Sequence, residues 1–453
     1  MKVHFIAIGG SAMHNLAIAL HKKSYQVTGS DDGIFEPSKS RLERYDLLPK
    51  ELGWFPEKIT EATEAVILGM HAREDNPELK RAQDLGVPVY SYPEYLYMQS
   101  KNKKRVVIGG SHGKTTITSM ILHVCHACGM DVDYMVGAQL AGFDTMVKLT
   151  EEATYMVLEG DEYLSSPIDR RPKFHWYQPH IALLSGIAWD HINVFPTYEN
   201  YFSQFEIFAS KLAENASLVY CSDDDDLLRL SKNLRSDIIE QAYGVLPHRI
   251  VDGQTILETK VGDVPLEIFG RHNITNLNGA RLVCKAMGID ETTFYNAMQT
   301  FKGASRRLEL LGRTEASVAY KDFAHSPSKV SATVAAAAEQ FTDKTLVACL
   351  ELHTFSSLNA DFLSEYAGAM DKADKALVYF DPEAIKHKKL AMIDAAQIKA
   401  AFANENLVVV SSQEEVRSWL EKNTDNPFCL LLMSSGNFGG MSPEEMATTL
   451  LTK

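Results

Sequence analysis

The chemistry-bearing residues concentrate in Val106-Val107-Ile108-Gly109-Gly110-Ser111-His112-Gly113-Lys114-Thr115-Thr116, a β-branched run followed by paired glycines and Gly-Lys-Thr. An apolar set at helical spacing comes next (Ile117, Met120, Ile121, Val124), so the layout predicts a strand, a phosphate-binding loop and a helix. In such a loop, glycines let backbone N–H groups turn onto phosphate oxygens, and the helix N-terminus adds partial positive charge. Gly110, Ser111, His112, Gly113, Lys114, Thr115 and Thr116 are therefore candidate nucleotide-binding residues. Lys114 has the reach for terminal phosphates, and the Thr115 hydroxyl suits a place on Mg²⁺. The competing reading is an ordinary strand-to-helix turn with a surface lysine. Ile108 stands where the usual pattern has glycine.

Other candidates fall at predicted strand ends. Tyr155-Met156-Val157-Leu158 delivers Glu159, Asp161 and Glu162 to a strand's C-terminal end, the edge where α/β sheets place ligands. Ile181-Ala182-Leu183-Leu184 leads to Trp189-Asp190-His191. Glu159 and His191 would join Thr115 at one edge, and oxygen and imidazole donors around a triphosphate make a Mg²⁺ site; a carboxylate at a strand end is singly as often just a helix cap. Asn273 and Asn276 open a predicted helix; their amides suit an adenine edge, and N-capping is the alternative. Arg306-Arg307 offers a phosphate clamp. Asp322-Phe323-Ala324-His325 follows a strand and would present an acid and an imidazole to a cleft.

A second glycine cluster, Gly9-Gly10-Ser11-Ala12-Met13, follows the first predicted strand (5–8), with Asp31 about 20 positions later. This is an imperfect dinucleotide fingerprint, because Ala7 and Ala12 stand where glycine is usual. His71 and Asn76, in the loop after Ala65-Val66-Ile67-Leu68, would face the same crevice; Asn76-Pro77-Glu78 is also a good helix start.

These residues need α/β scaffolding, and the chain supplies it. At 453 residues, two or three domains are expected. Strands alternate with helical patterns over 1–102, 103–311 and 312–453. The middle stretch carries antiparallel-type alternation at 245–268, and basic residues 101–105 read as a linker. The expected class is therefore α/β with three domains: a Rossmann-like N-terminal domain, a central P-loop ATPase-like parallel sheet with added antiparallel strands, and a Rossmann-like C-terminal domain.

Composition narrows the function classes. A net charge of −14 argues against a broad nucleic-acid surface. No apolar run approaches the roughly 18–20 residues of a membrane span, and the N-terminus reads as a strand rather than a signal peptide. Cys125-His126-Ala127-Cys128 suggests metal or redox chemistry, but it falls on the helix after the phosphate loop without a second pair, so buried helical cysteines and a reducing cytoplasm are expected. The acidic run 223–226 reads as a helix cap.

Assembled in this order, the motifs make the whole chain resemble the Mur ligase family, ATP-dependent amide-forming enzymes of cell-wall synthesis. The resemblance rests on 110–116, Glu159-Gly160-Asp161-Glu162, Asp190-His191, His272-Asn273 with Asn276, Arg306-Arg307 and 322–327. It accounts for Ile108, because the family's loop lacks the distal glycine. It implies that Gly9, Gly10, Ser11, Ala12, Met13, Asp31, His71 and Asn76 hold the UDP-sugar and that the central domain holds ATP and Mg²⁺. Thr115, Glu159 and His191 would bind the metal, and Asn273, Asn276 and Arg307 would contact the nucleotide. Lys114, His191, Arg307, Asp322 and His325 would act in catalysis, and the last domain would bring an amine. Several relatives carry a carbamoylated lysine fifteen residues after the motif histidine, where this chain has Glu206. Glu206 is therefore either a metal-supporting carboxylate or a plain helix position.

Within the family, the N-terminal glycines are similar to branches acting on UDP-N-acetylmuramate, one adding L-alanine and one adding L-alanyl-γ-D-glutamyl-meso-diaminopimelate. Residues 169–174, 306–310 and 435–440 resemble the tripeptide-adding branch, while 350–356 departs from relatives' proline- and arginine-containing loop. Two readings of other classes are a dehydrogenase using the N-terminal glycines and a non-catalytic nucleotide-binding regulator. Nicotinamide binding would mark the first, and absence of substrate-stimulated ATPase activity the second.

Overall fold

A computed structural model describes residues 1–70, 72–140, 142–189, 194–304 and 307–452. Their contacts divide the chain into two compact units, Met1–Gly244 with Thr275–Met298, and Val245–Ile274 with Gln299–Lys453.

The first unit holds two sheets. Strands β1 (Lys2–Ile6), β2 (Gln26–Ser30), β3 (Ala65–Leu68) and β4 (Val89–Ser91) lie in the order β2-β1-β3-β4, all parallel. The near-continuous apolar runs of β1 and β3 are buried, as parallel strands covered on both faces require. A larger sheet is built from β5 (Lys104–Gly109), β6 (Asp133–Met135), β7 (Val147–Lys148), β8 (Tyr155–Glu159), β9 (Ile181–Leu184), β10 (Ser217–Cys221) and β11 (Ile239–Tyr243). Their order is β11-β10-β9-β5-β8-β6-β7, and only β6–β7 is antiparallel. Val106, Val107 and Ile108 at its centre are fully buried. Register sets Ile108 beside Glu159 and Gly109 beside Leu184. The loops leaving β5, β8 and β9 therefore open on one edge, the ligand edge of a parallel sheet.

The second unit holds an antiparallel ribbon, β12 (His248–Val251), β13 (Gln254–Thr259) and β14 (Gly262–Leu266). It also holds a six-stranded sheet of β15 (Glu309–Arg313), β16 (Val318–Asp322), β17 (Thr345–Leu352), β18 (Lys375–Phe380), β19 (Val408–Val410) and β20 (Phe428–Met433). The order is β15-β16-β20-β17-β18-β19, parallel except at β15–β16. The helices include α1 (Ser11–Lys22), α2 (Ser38–Arg44), α3 (Pro77–Asp84), α4 (Tyr92–Gln99), α5 (Lys114–Ala127), α6 (Tyr198–Ser210), α7 (Asp225–Ser231), α8 (Arg271–Ala286), α9 (Glu291–Met298) and α10 (Pro327–Gln340).

The expected α/β class, with its parallel N-terminal and central sheets and its later α/β sheet, is what the chain adopts. Details differ for physical reasons. The apolar run from Phe5 to Ile8 ends as a strand at Ile6, because Ala7 turns left-handed (φ 68°) and both Ala7 and Ile8 donate their N–H groups to Ser30 O. Within the basic stretch 101–105, Lys101, Asn102 and Lys104 are exposed while Lys103 and Arg105 are buried. Lys103 pairs with Asp133 at 2.7 Å, both buried, and the Arg105 guanidinium donates to Tyr177 O and Ser100 O. Asp224 caps α7 as expected, accepting from Leu227 N, while its other oxygen takes Ile187 N. All six cysteines are free; Cys125 is buried on α5 as expected, whereas Cys128 is exposed at its C-cap, where the helix has ended. Among the described residues, no helix is long and apolar enough to cross a membrane.

One packing feature sets an acid limit. The His175 ring stacks on Phe174 at 4.9 Å, Phe174 stacks on Phe208 at 4.6 Å, and His175 Nε2 donates to Gln204 O at 2.8 Å. Burial pulls the His175 pKa down to about 4. The unfolded chain then takes up a proton before the folded one as pH falls, so stability is lost between about 6.5 and 4. The gap between those values corresponds to about 3 kcal/mol at most. Measured as urea midpoints from pH 7 to 4, His175→Gln should flatten this acid loss while lowering the midpoint at pH 7.

Candidate functional site

The loop after β5 is shaped by what lies beside it. Register brings Ser185 next to Gly110, where an added Cβ would come within 2.8 Å of Ser185 N; Gly110 is left-handed (φ 116°). Gly113, the N-cap of α5 (φ 75°), backs onto Asn276, whose Oδ1 would lie 2.6 Å from a Cβ there. Ser185 Oγ donates to His112 O, and Ser111 N donates to Gly186 O. The backbone from Gly110 to Gly113 is thus held from β9 and α8, and α5 starts at Lys114 with its N-terminus at the loop. Thr116 is buried on the first turn of α5.

Two polar systems meet at this edge. Lys114 Nζ donates to Gly110 O and to Glu162 Oε2, both at 2.7 Å. Tyr201, on α6, donates its hydroxyl to Glu162 Oε1 at 3.2 Å. Ser111 Oγ lies 2.8 Å from the Tyr201 oxygen and accepts from Ala188 N. With the Tyr201 proton directed at Glu162, Ser111 is the donor to Tyr201, and the chain of bonds is cooperative. Burial works against the Lys114 ammonium, but the Glu162, Asp161 and Glu159 carboxylates outweigh it and hold its pKa above the usual lysine value.

The second system is Thr115 with Glu159. Thr115 Oγ1 donates to Glu159 Oε1 at 2.8 Å, and Gly137 N donates to Oε2 at 2.7 Å. Burial pushes the Glu159 pKa up, against the opposing pull of those two donors and of Lys114. A buried carboxylate beside a hydroxyl is a hard oxygen donor pair. It fits Mg²⁺, which takes one or two protein oxygens and completes its octahedron with water and phosphate. Among the described residues no group of three or more His, Cys, Asp or Glu forms a metal cage. His191 and Asp190 lie outside the described residues. Glu206 is not brought to this pair: it is exposed on α6, five residues beyond Tyr201 and so about 140° around the helix from the face that reaches Glu162.

At the N-terminal sheet, the loop leaving β1 is closed by Asp31. Gly9 N donates to Asp31 Oδ2 at 2.7 Å and Gly33 N to Oδ1 at 3.1 Å, while burial raises the Asp31 pKa. Gly10 is the N-cap of α1, Ser11 and Ala12 are exposed on its first turn, and Met13 is buried. Asn76 caps α3, its Oδ1 accepting from Glu78 N and Leu79 N. Asn76 thus takes the helix-start alternative. His71 and Arg306 lie outside the described residues.

The remaining candidates, Asn276 excepted, sit in the second unit. Asp322 ends β16 and accepts from Thr333 Oγ1 at 2.6 Å. Its charge opposes burial at His272, where burial dominates and lowers the imidazole pKa. Arg307 lies over the Phe323 ring at 4.6 Å, and the His325 ring meets the same aromatic edge-on. His325 Nδ1 donates to Phe323 O at 2.7 Å, which places the ring's acceptor lone pair on Nε2. Asn273 Nδ2 donates to Phe269 O at 2.9 Å, whereas Asn276 packs on the phosphate loop. Past the ends of the adjacent strands β16 and β20, Ser326 Oγ and Ser435 Oγ are buried with no hydrogen-bond partner among the described residues. Beside them the buried Glu351 accepts from Phe438 N and Gly439 N and so holds the glycine loop of 434–440.

Tyr201, Gly137 and Ser185 are site residues that sequence patterning missed. Tyr201 belongs to an aromatic stripe with Phe205 and Phe208 that reads simply as core, and only its hydroxyl distinguishes it. Tyr201→Phe should lower kcat/KM for the nucleotide by up to about tenfold, the weight of one hydrogen bond in the chain; steady-state ADP release checks this.

Comparison with known proteins adds to this geometry. Three family models match: Mur ligase family, catalytic domain, over 2–45; Mur ligase middle domain over 108–284; and Mur ligase, glutamate ligase domain, over 306–436. The UDP-N-acetylmuramate--L-alanine ligase of Acidithiobacillus ferrooxidans is 30% identical over 387 residues, covering 81% of each chain. In fold, the chain is similar to the UDP-N-acetylmuramate-alanine ligase of Thermotoga maritima (TM-score 0.73, 18% identity, 99% of this chain and 98% of that one). It is similar also to a murein peptide ligase of Psychrobacter arcticus (TM-score 0.65, 23% identity, 100% and 98%).

Proposed function

Since the chain belongs to the Mur ligase family and is an ATP-dependent ligase of that type, we propose that it joins the lactyl carboxylate of UDP-N-acetylmuramate to the α-amine of L-alanyl-γ-D-glutamyl-meso-diaminopimelate in the cytoplasm. The observation that carries carboxylate activation is the convergence of Lys114, Thr115 and Glu159 on the loop after β5. Mg²⁺ bound by Thr115 and Glu159 would neutralise charge on the phosphate oxygens.

The chemistry is two displacements. A lactyl carboxylate oxygen attacks the γ-phosphorus, the bond to the bridging oxygen breaks, and ADP leaves. The amine nitrogen then attacks the acyl carbon and inorganic phosphate departs. Lys114 follows the charge on the transferred phosphoryl group, and Arg307 is the further phosphate contact. His325, its Nδ1 held by Phe323 O, receives the amine proton at Nε2, with Asp322 as the neighbouring acid. The loop 9–13 and Asp31 serve the sugar nucleotide. Asn276 shapes Gly113 and lies at the nucleotide.

The tripeptide is supported by residues 169–174, 306–310 and 435–440. A second reading, L-alanine as the amine, is favoured by the curated relative, which is named for that activity. Offering each amine separately with UDP-N-acetylmuramate and ATP, and following ADP, discriminates them. Turnover with tripeptide and not L-alanine supports the first, the reverse supports the second, and turnover with neither overturns both.

A further inference from the structure

A polar network joins the loop 9–13 to the Thr115–Glu159 pair, and nothing in the chemistry above uses it. Its centre is Arg41 on α2. One Arg41 Nη1 donates to Asn15 Oδ1 at 3.2 Å and lies 3.5 Å from His14 Nε2; the Nη2 donates to Gln139 Oε1 and to Asp144 O at 2.9 Å. His14 and Asn15 sit on the first turns of α1, directly behind the glycine loop. His14 Nδ1 donates to Gly10 O at 2.9 Å with Ser38 Oγ beside it, and Asn15 Nδ2 donates to Ser11 O at 2.8 Å. With Nδ1 protonated, Nε2 is the acceptor that faces Asn15 Nδ2 and Arg41. Burial lowers the His14 pKa and keeps the ring neutral, as that arrangement needs.

The other side of Arg41 meets Gln139 and Asp144, which lie between β6 and β7. Besides Gln139 and Asp144, Met146 N donates to Asn15 Oδ1 at 3.0 Å, Tyr45 donates to Asp144 Oδ2 at 2.9 Å, and Lys22 pairs with Asp144. The root of this segment is Gly137. Its N–H holds Glu159 Oε2, and its lack of a side chain is required, since a Cβ would stand 2.8 Å from Glu159 Oε1. The same short segment is therefore pinned by α1 and α2 at one end and sets the second oxygen of Glu159 at the other.

We propose that Arg41 is a positioning residue for Glu159: through Gln139 it holds the backbone that starts at Gly137 against α1, so that the metal-binding carboxylate and the glycine loop 9–13 are held by one connection. Resting on the functional reading above, the consequence is that sugar-nucleotide binding at 9–13 and Mg·ATP binding at Thr115–Glu159 favour one another. Coupling of this kind is reciprocal in binding, and values of about fivefold or more are usual.

The test uses the full chain and titrates the Mg²⁺ complex of a non-hydrolysable ATP analogue into wild type, Arg41→Gln, Gln139→Ala and the double variant. Gln139→Ala leaves Arg41 and α1 intact, although it also removes the Gln139 amide's bonds to Leu140 O and Phe143 O, and serves if Arg41→Gln folds poorly, which thermal unfolding reports. Each single variant should weaken analogue binding by about fivefold or more, with Mg²⁺ dependence shifted upward, and the double variant should be no weaker than the weaker single one. Arg41→Lys, able to keep one of the two far-side bonds, should recover part of the loss. Unchanged affinity in both single variants, or additive losses, would overturn the proposal. Repeating the titration with saturating UDP-N-acetylmuramate tests the coupling: wild type should tighten and Arg41→Gln should not. If wild type binds no UDP-N-acetylmuramate, the functional reading fails, while the arms without sugar nucleotide still decide the role of Arg41.

Discussion

Lys114→Ala should abolish ADP release in the presence of UDP-N-acetylmuramate and the amine, an expected fall of at least about 10³-fold. The magnitude follows from position. Lys114 starts α5 at the loop, its ammonium already lies within 2.7 Å of Gly110 O, and its pKa is held high, so it is charged at any working pH. Nothing else on the loop carries a formal positive charge in this place. The obvious confounder is the buried Glu162, which loses its ion-pair partner in the variant. Breaking a buried pair costs about 3–5 kcal/mol, and less here because Lys114 is partly open. Lys114→Ala with Glu162→Gln removes that stranded charge, so the double variant should regain unfolding temperature and remain inactive. Retained turnover in either folded variant would break the assignment of this loop to ATP.

Glu159→Gln should lower turnover by about 10²–10³-fold and move half-maximal activity to at least tenfold higher Mg²⁺. The substitution keeps the shape of the site. The amide oxygen can face Gly137 N, and the Thr115 hydroxyl can rotate to accept from the new amide NH₂, so the two contacts of the carboxylate at 2.7 and 2.8 Å have replacements. What is lost is the negative charge that a hard cation requires. A Mg²⁺ titration of ADP release, with unfolding temperature as control, separates loss of charge from loss of fold. An unchanged Mg²⁺ dependence would remove Glu159 from the metal site.

The phosphate loop, the strand delivering Glu159 and the α/β class were legible because each is written locally. A β-branched run, paired glycines and Gly-Lys-Thr at 106–115 specify strand, turn and helix start without reference to the rest of the chain. The glycine loop at 9–13 was legible too, with one instructive detail. Ala7 takes the left-handed backbone that glycine usually supplies, because Ser30 O receives both its N–H and that of Ile8. Less could be read where one residue type has two uses. Asn76 and Asn273 look like ligand-binding amides; the first caps α3 and the second bonds Phe269 O, since a nearby backbone group competes for the same amide. Glu206 looks like a substitute for a metal-supporting group, yet helix phase turns it to solvent.

What the chain determined by itself is the set of local motifs: the types and spacing of 110–116, of 159–162 and of 322–325, which state the chemistry available because each lies within a few residues on one strand end. Tertiary structure alone decided which of them work together. Register across β5, β8 and β9 set Glu159 and Ser185 beside the loop, α6 brought the Tyr201 hydroxyl to Glu162, and α2 brought Arg41 to the segment that holds Glu159. The physical reason is that these contacts join residues tens of positions apart, from Tyr201–Glu162 at 39 to Arg41–Gln139 at 98. Local propensity carries no information over such separations; only the pairing of strands and the packing of helices on them does.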